Sequence, residues 1–524
     1  MRVKGDAPPW WRRLDPLPWA FVVGALVIWG ARGLDAPLPR DAGLYLYAGQ
    51  QVAGGDPPYV GVLNRAGPIS HLLPALGVEL GRLLGAGDVV GVKVLYLALM
   101  SAAPALVYLI GRDVFGSRLA GVTAGAALLS VHVVAIGATN GPEAKLPVML
   151  AQVIALLLLT RRRWLGAGVV TALATLTWQP VLFCLAPAAA VRALTQPASM
   201  RHRARDLSTF AVGGLVTLGV IVAGFWAVGA LDAFVEGFWT VNATYTEQTG
   251  AFSRPRLVLS YLQSGLGWTL WPVLVGCALS IGLGVAAMFT YRSEPRRSSN
   301  VMTLGMATAA FVAWCGVAFN RGPDGLPAYP LAALGLGGSI GILAHLVRRA
   351  GTPLPRRLLI GTVALWVAAC TVLTFVHTTD RRSDDLEYQR ALTLAVFSHL
   401  PDDATVFTYE ATPPMVLSHS TSISRFVLFG HGMLDYVAAE WPGGVDGYVH
   451  WLIDERPDVV FIHIRNPHDF LLPLLSSYTK VSGGPRLGGN PEWRTYVRND
   501  LDPEIVAAIK QDHVTARRAQ EAGH

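Results

Sequence analysis

LPWAFVVGALVIWGARGLDAPLPRDAGLYLYAGQQ, residues 17–51, is the stretch on which the reading of the whole chain turns. Its first half is apolar and uncharged up to Arg32, close to the length that crosses about 30 Å of hydrocarbon. Its second half sets one carboxylate, Asp41, beside Arg40 and ahead of Tyr45 and Tyr47. Acidic residues near membrane depth are costly to hold there and tend to be functional. The stretch therefore predicts a membrane helix that ends beside a reactive group.

The rest of the chain has the same character. Of its 524 residues 52% are hydrophobic and 15% charged, with a mean hydropathy of +0.42. Soluble domains average about 25% charged residues, so much of this surface faces something other than water. Hydropathy predicts spans at 17–33, 88–110, 118–137, 147–161, 164–177, 180–194, 208–230, 268–290, 302–319, 327–347 and 357–376. The segment 164–194 is read as two helices broken at Gln179-Pro180, because proline removes a backbone donor. The fold expected is an α-helical polytopic membrane protein of about eleven helices.

Arginines set the orientation. Arg12-Arg13, Arg112 with Arg118, Arg161-Arg162-Arg163, Arg201 with Arg203 and Arg205, Arg296-Arg297 and Arg348-Arg349 fall in alternate loops. The positive-inside rule puts these loops, and the N-terminus, in the cytoplasm. The net charge of +7 is thus a topology signal and a contact with lipid headgroups, not a nucleic-acid footprint. The basic N-terminus lacks a small-residue cleavage site and reads as a retained anchor. Cys184, Cys277, Cys315 and Cys370 lie inside apolar runs, so neither a disulfide framework nor a cysteine metal site is expected.

Outer loops are then 34–87, 138–146, 231–267 and 320–326, and residues 1–376 form the membrane unit. Within the first loop, 69–85 is amphipathic at helical spacing and suits the interface. From 377 to 524 the composition predicts an extracytoplasmic α/β domain. A helix at 384–400, strands at 404–410, 424–430 and 458–464, and a helix near 444–456 are expected there. The glycines of GLGGSIG, 335–341, fall inside a membrane helix and read as packing positions rather than a nucleotide loop.

The outer loops concentrate polar chemistry. The first carries Arg40, Asp41, Tyr45, Tyr47, Arg65 and His71. The short turn TNGPEAKLP, 139–147, holds Asn140, Glu143 and Lys145 near the interface. GFWTVNATYTEQTGAFSRPR, 237–256, adds Tyr245, Arg254 and Arg256, and NRGPDGLPAY, 320–329, adds Arg321 and Tyr329. Arginine forks suit phosphate oxygens, and aromatic rings suit sugar faces or lipid interfaces.

These features together resemble the GT-C glycosyltransferases, the multi-spanning class that includes protein O-mannosyltransferases and lipid A aminoarabinose transferases. The likeness runs over nearly the whole length. It is carried by Asp41 with Tyr45, by GGDPPY at 54–59, Pro68, the short acidic second loop, LTWQPVLF and the C-terminal α/β segment. The chain departs from the class at Ala42, where a second acidic residue is common, and in having Arg65 but no lysine directly before Pro68. It departs again at Trp178 and at Ala328-Tyr329, where lysine and a His-Tyr pair are common.

The resemblance implies an inverting transfer of a sugar from a polyprenyl-phosphate donor to a glycan, lipid or protein acceptor on the outer face of the cell membrane. Asp41 would be the base and Glu143 an orienting carboxylate. Arg65, Arg254 and Arg256, then Lys145 and Arg321, would hold the phosphate. Arg40, Tyr45, Tyr47, His71, Asn140, Tyr245 and Tyr329 would complete the substrate site. No cofactor is expected, and the sequence does not indicate a divalent metal. A transporter would instead call for inverted repeats and charges at the midplane, and a non-catalytic scaffold would keep the fold alone.

Overall fold

The computed structural model describes residues 15–245, 252–290, 294–319, 322–349, 353–379, 386–464, 468–487 and 490–522. Helix α1 (Leu17–Gly30) is the first apolar run, and the chain does not reach Asp41 from its end. Nine residues intervene before α2 (Arg40–Ala53), so Asp41 lies in the first turn of a second helix. After α3 (Ile69–Leu83) comes α4 (Asp88–Phe115). The segment between α1 and α4 thus holds two packed helices rather than a loop with one.

The membrane part continues with α5 (Arg118–Leu129) and α6 (His132–Asn140), a pair bent by 56°. Next come the shorter apolar helices α7 (Lys145–Thr160), α8 (Trp164–Thr175) and α9 (Leu182–Thr195), the last entered through a 3₁₀ turn at Gln179–Val181. The break at Gln179-Pro180 therefore separates two helices, where proline cannot donate a backbone hydrogen bond. Then follow α10 (Met200–Ala227), α11 (Leu231–Phe234) running into a π-helix at Val235–Tyr245, and α12 (Pro255–Leu266). Helices α13 (Leu270–Thr290), α14 (Pro295–Val317), α15 (Ala328–Arg349) and α16 (Pro353–Thr379) complete the bundle.

Among the described residues six helices are long and apolar enough to cross a membrane by themselves, in α4, α10, α13, α14, α15 and α16. The bent α5–α6 pair makes a seventh span if it crosses as one. This is a multi-pass membrane protein. The glycines near 335–341 pack helices: a Cβ on Gly335 would lie 2.0 Å from the Gly276 carbonyl oxygen, and one on Gly337 2.4 Å from that of Ala120. Small residues let backbones approach where lipid offers no hydrophobic drive between helices.

Beyond α17 (Leu386–Phe397) the chain builds a mixed sheet. Its parts are β1 (Val406–Tyr409), α18 (Pro413–Ser418), α19 (Met433–Glu440), α20 (Gly444–Glu455), β2 (Val459–His463), α21 (Leu472–Leu475) and β3 (Tyr478–Gly483). The short pair β4 (Arg486–Leu487) and β5 (Asn490–Pro491) precedes β6 (Trp493–Arg498) and α22 (Pro503–Ala522). The order is β1-β2-β6-β3, with β1 parallel to β2 and β6 antiparallel to both neighbours. Every residue of β1 and β2 is buried, as expected for strands covered on both faces.

One expected strand is absent. Residues 424–430 are irregular, and pairing beside β1 is confined to a bridge between Val406 and Ser422. The backbone there serves side chains instead: Phe429 and Gly430 donate to the Glu410 carboxylate. Strands β3 and β6 escape the reading because their burial alternates or is partial, without a continuous apolar run.

The α/β unit is seated on α2 and on the π-helix at Val235–Tyr245. Gln389 makes a two-way bond with the Leu38 backbone, at 2.8 and 3.0 Å. The Tyr47 hydroxyl accepts from Ser422 N at 2.8 Å. Helix α2 meets α18 so closely that a Cβ on Gly43 would lie 2.8 Å from the Pro413 ring. Arg425 forks onto Glu236 at 2.6 and 3.0 Å, and the Tyr436 hydroxyl donates to the same carboxylate.

Candidate functional site

Two cavities open on either side of the first turn of α2, and Arg40 and Asp41 line both. The first, of about 280 Å³, is lined by Tyr45, Arg65, Lys145, Trp178, Asn242, Asp324 and His431 among others. The second, of about 730 Å³, is lined by Asn140, Glu143, Tyr261, Tyr329, His463 and Glu492 among others. Both draw on the membrane helices, the segments that connect them and the C-terminal unit.

Local backbone chemistry fixes these groups. The N-cap of α2 is Pro39, which has no side-chain donor or acceptor. Helix starts leave backbone N–H groups unpaired, and here Glu492 Oε1 accepts from Arg40 N at 3.0 Å. The Arg65 turn is pinned at three points. Asn242 Nδ2 donates to the Arg65 carbonyl at 2.8 Å, the Tyr59 hydroxyl to that of Ala66 at 2.7 Å, and Ala66 N to Asn64 Oδ1 at 2.8 Å.

Arg40 is the centre of the charge arrangement. Its Nε and Nη2 reach Asp41 Oδ1 at 2.9 and 2.8 Å, and Nη1 reaches Glu410 Oε2 at 2.8 Å. Burial works against the guanidinium charge, but Asp41 and Glu410 more than offset it and hold Arg40 above its ordinary range. The Asp41 side chain stays 40% exposed, whereas that of Glu410 is fully buried. Asp41 is thus the accessible member of the three.

Lys145 bridges two carboxylates, with Nζ 3.4 Å from Glu143 and 3.8 Å from Asp324. Burial pushes the Glu143 carboxyl above its usual range, Lys145 pulls it back, and Asp41 pushes it further up. Burial raises the Tyr45 phenol too, and its other influences are Lys145, Glu143, Asp41 and Arg65. Tyr45 lines the first cavity together with Asp41, Arg65 and Lys145.

Several expected residues stand elsewhere. Tyr47 is a buried strut to Ser422, its phenol pushed up to about 12 by burial. His71 is buried against Tyr59 with ring centroids 4.9 Å apart, and burial brings it down to about 3, so it is a neutral core ring. Tyr245 donates to Glu440 at 2.9 Å and belongs to the seam with the C-terminal unit. Arg254 and Arg256 start α12 and are exposed outside both cavities, because that helix turns Val258 and Leu266 inward instead. Arg321 and the Arg12-Arg13 pair lie outside the described residues.

Other lining and supporting groups are absent from the sequence reading. Asp324 sits in a loop already marked as outer, and Glu410 closes a buried strand, an odd place for an acid. Nothing in the local sequence singles out Glu492, His431 or His463, which reach the cavities only through tertiary docking.

No protein-family model and no curated protein sequence matches the chain. Solved structures do. ArnT from Cupriavidus metallidurans bound to undecaprenyl phosphate is similar at a TM-score of 0.61 and 13% identity, over 95% of this chain and 99% of that one. Its apo state gives 0.58 and 14%, over 92% and 97%. The archaeal oligosaccharyltransferase AglB from Archaeoglobus fulgidus, in complex with an inhibitory peptide and a dolichol-phosphate, gives 0.53 and 15%, over 96% and 78%.

Proposed function

We propose that this chain, whose fold is that of the GT-C membrane glycosyltransferases, transfers a sugar from a polyprenyl-phosphate donor to an envelope acceptor at the outer face of the membrane. The observation that carries the reading is the position of Asp41. It is an accessible carboxylate on the wall shared by a cavity holding Arg65 and Lys145 and one holding Asn140, Glu143 and Tyr329. The similar structures bound to undecaprenyl phosphate and to dolichol-phosphate favour the same donor class.

In this reading the lipid phosphate lies by Arg65 and Lys145. An acceptor hydroxyl enters from the larger cavity and attacks the anomeric carbon. The new C–O bond forms as the bond to the phosphate oxygen breaks, and the hydroxyl proton passes to Asp41. Polyprenyl phosphate leaves, and the anomeric centre is inverted. General base catalysis of this kind contributes about 10²–10⁴-fold. The cations stabilise charge that grows on the leaving phosphate, a larger contribution in many enzymes. Glu143, held by Lys145 and pushed towards its protonated form, orients groups instead of taking the proton.

The topology that goes with this function has a cytoplasmic N-terminus, eleven crossings and an outer C-terminal unit from about residue 377. A cysteine at Asp56 or His419, both exposed, would react from outside with an impermeant thiol reagent, and one at Arg162 would not. Protection at His419 in intact cells reverses the orientation. The function itself is tested by incubating the purified chain with a panel of polyprenyl-phosphate sugars and an envelope extract. Release of free polyprenyl phosphate from at least one donor is expected. A panel wholly unconsumed contradicts the proposal.

A further inference from the structure

Glu410 pairs with Arg40 but lines neither cavity. Both of its oxygens are committed. Oε2 accepts from Arg40 Nη1 at 2.8 Å, and Oε1 accepts from Phe429 N and Gly430 N at 3.0 and 2.7 Å. Its backbone has φ +55, in the left-handed region. Residues with a Cβ rarely adopt that conformation, and it persists where the surroundings over-determine it. The carboxylate is therefore built in as a fixed acceptor aimed at one guanidinium.

That guanidinium is also the one holding Asp41 Oδ1. A second tie joins the same turn, since Arg40 N donates to Glu492 Oε1 at 3.0 Å. The first turn of α2 thus receives an ionic anchor and a backbone cap from the C-terminal unit. Charged hydrogen bonds of this length are the strong, directional ones.

We infer that Glu410 is a positioning residue for Asp41: by sharing the Arg40 guanidinium it fixes the direction of that carboxylate and keeps it basic. The inference rests on the reading of Asp41 as the base. With Glu410 ionised, the positive charge of Arg40 is divided between two carboxylates. With Glu410 neutral, Arg40 belongs to Asp41 alone, and a carboxylate facing an undivided cation holds a proton less readily. The C-terminal unit would then tune the reactivity of a residue that belongs to the membrane part.

The test uses the purified full chain with Glu410→Gln, which keeps an oxygen for Phe429 and Gly430 but removes the charge. A water-soluble carbodiimide with a glycine ester, followed by peptide mass spectrometry, reads the protonation of Asp41 as labelling against pH. The other titratable and charged groups that line the two cavities with Asp41 are the same in both proteins: Arg40, Glu143, Lys145, Arg65, Asp324, His431, His463 and Glu492, with the phenols of Tyr45, Tyr261 and Tyr329. The labelling midpoint is expected to fall by about one pH unit, with kcat about tenfold lower and both KM values within about twofold. Glu410→Asp should restore most of the midpoint. Arg40→Gln, which removes the shared cation, should raise it by about one unit and serves if Glu410→Gln does not fold. An unmoved midpoint in either folded variant overturns the inference. A chain that consumes no donor sinks the glycosyltransferase reading instead and leaves the midpoint measurement standing.

Discussion

The two cavities that meet at Arg40 and Asp41 differ in size and in chemistry. The smaller combines Arg65 and Lys145 with the indole of Trp178, a setting for a compact anion next to an apolar chain. The larger has Glu143, Glu492, Asn140, Tyr261 and Tyr329, which suit hydroxyl groups and ring faces. In this account the first takes the donor and the second the acceptor. The difference teaches that a carboxylate between the two can meet both substrates while each is held by groups foreign to the other.

The comparison can be broken at its shared wall. Asp41→Asn keeps shape and hydrogen bonding but takes no proton at neutral pH, and Arg40 keeps its pairing with Glu410. Turnover should fall by about 10²-fold or more, with donor and acceptor KM values changed only a few-fold. A parallel rise in both KM values would mean that Asp41 binds substrate and does not act as the base.

Next in size is the donor side. Arg65→Gln and Lys145→Gln should each weaken donor use by about 10- to 100-fold, the scale of a charge-assisted hydrogen bond. For Arg65→Gln the acceptor KM should hardly move, whereas Lys145→Gln also releases Glu143 and should raise it a few-fold. Equal effects on both substrates, read from steady-state kinetics with each one varied, would erase the distinction between the cavities.

On the acceptor side the expected effect is smaller. Tyr261 lines only the larger cavity. Tyr261→Leu should raise the acceptor KM by about three- to tenfold, as one aromatic contact is lost, and leave the donor KM alone. A donor-specific effect would exchange the two assignments. Smallest of all is Arg254→Ala, which removes an exposed cation outside both cavities. Initial rates within about twofold of wild type are expected, as for most exposed charges. A tenfold loss would return Arg254 to the phosphate site.

What the sequence made legible follows physical range. The apolar segments were readable because hydrocarbon burial acts on every residue of a helix, and each expected span contains or overlaps a helix. Asp41, Arg65, Lys145, Asn140, Glu143 and Tyr329 were legible as polar groups in the segments between apolar runs, and all line a cavity. Arg254 and Arg256 shared that signature, yet they stand exposed at the start of α12, outside both cavities. His71 and Tyr47 were polar in sequence but are buried parts of α3 and α2. Glu410 and Glu492 act on Arg40 across 370 and 452 residues of chain, a distance at which no local pattern carries information.

The assignment of the base is tested most directly by turnover at saturating donor, measured as polyprenyl phosphate released, for Asp41→Asn beside Glu143→Gln. The account predicts that Asp41→Asn loses about 10²-fold or more, while Glu143→Gln keeps most of its turnover and shows its damage in substrate binding. Near-normal turnover in Asp41→Asn beside an inactive Glu143→Gln would move the base to Glu143 and contradict the account.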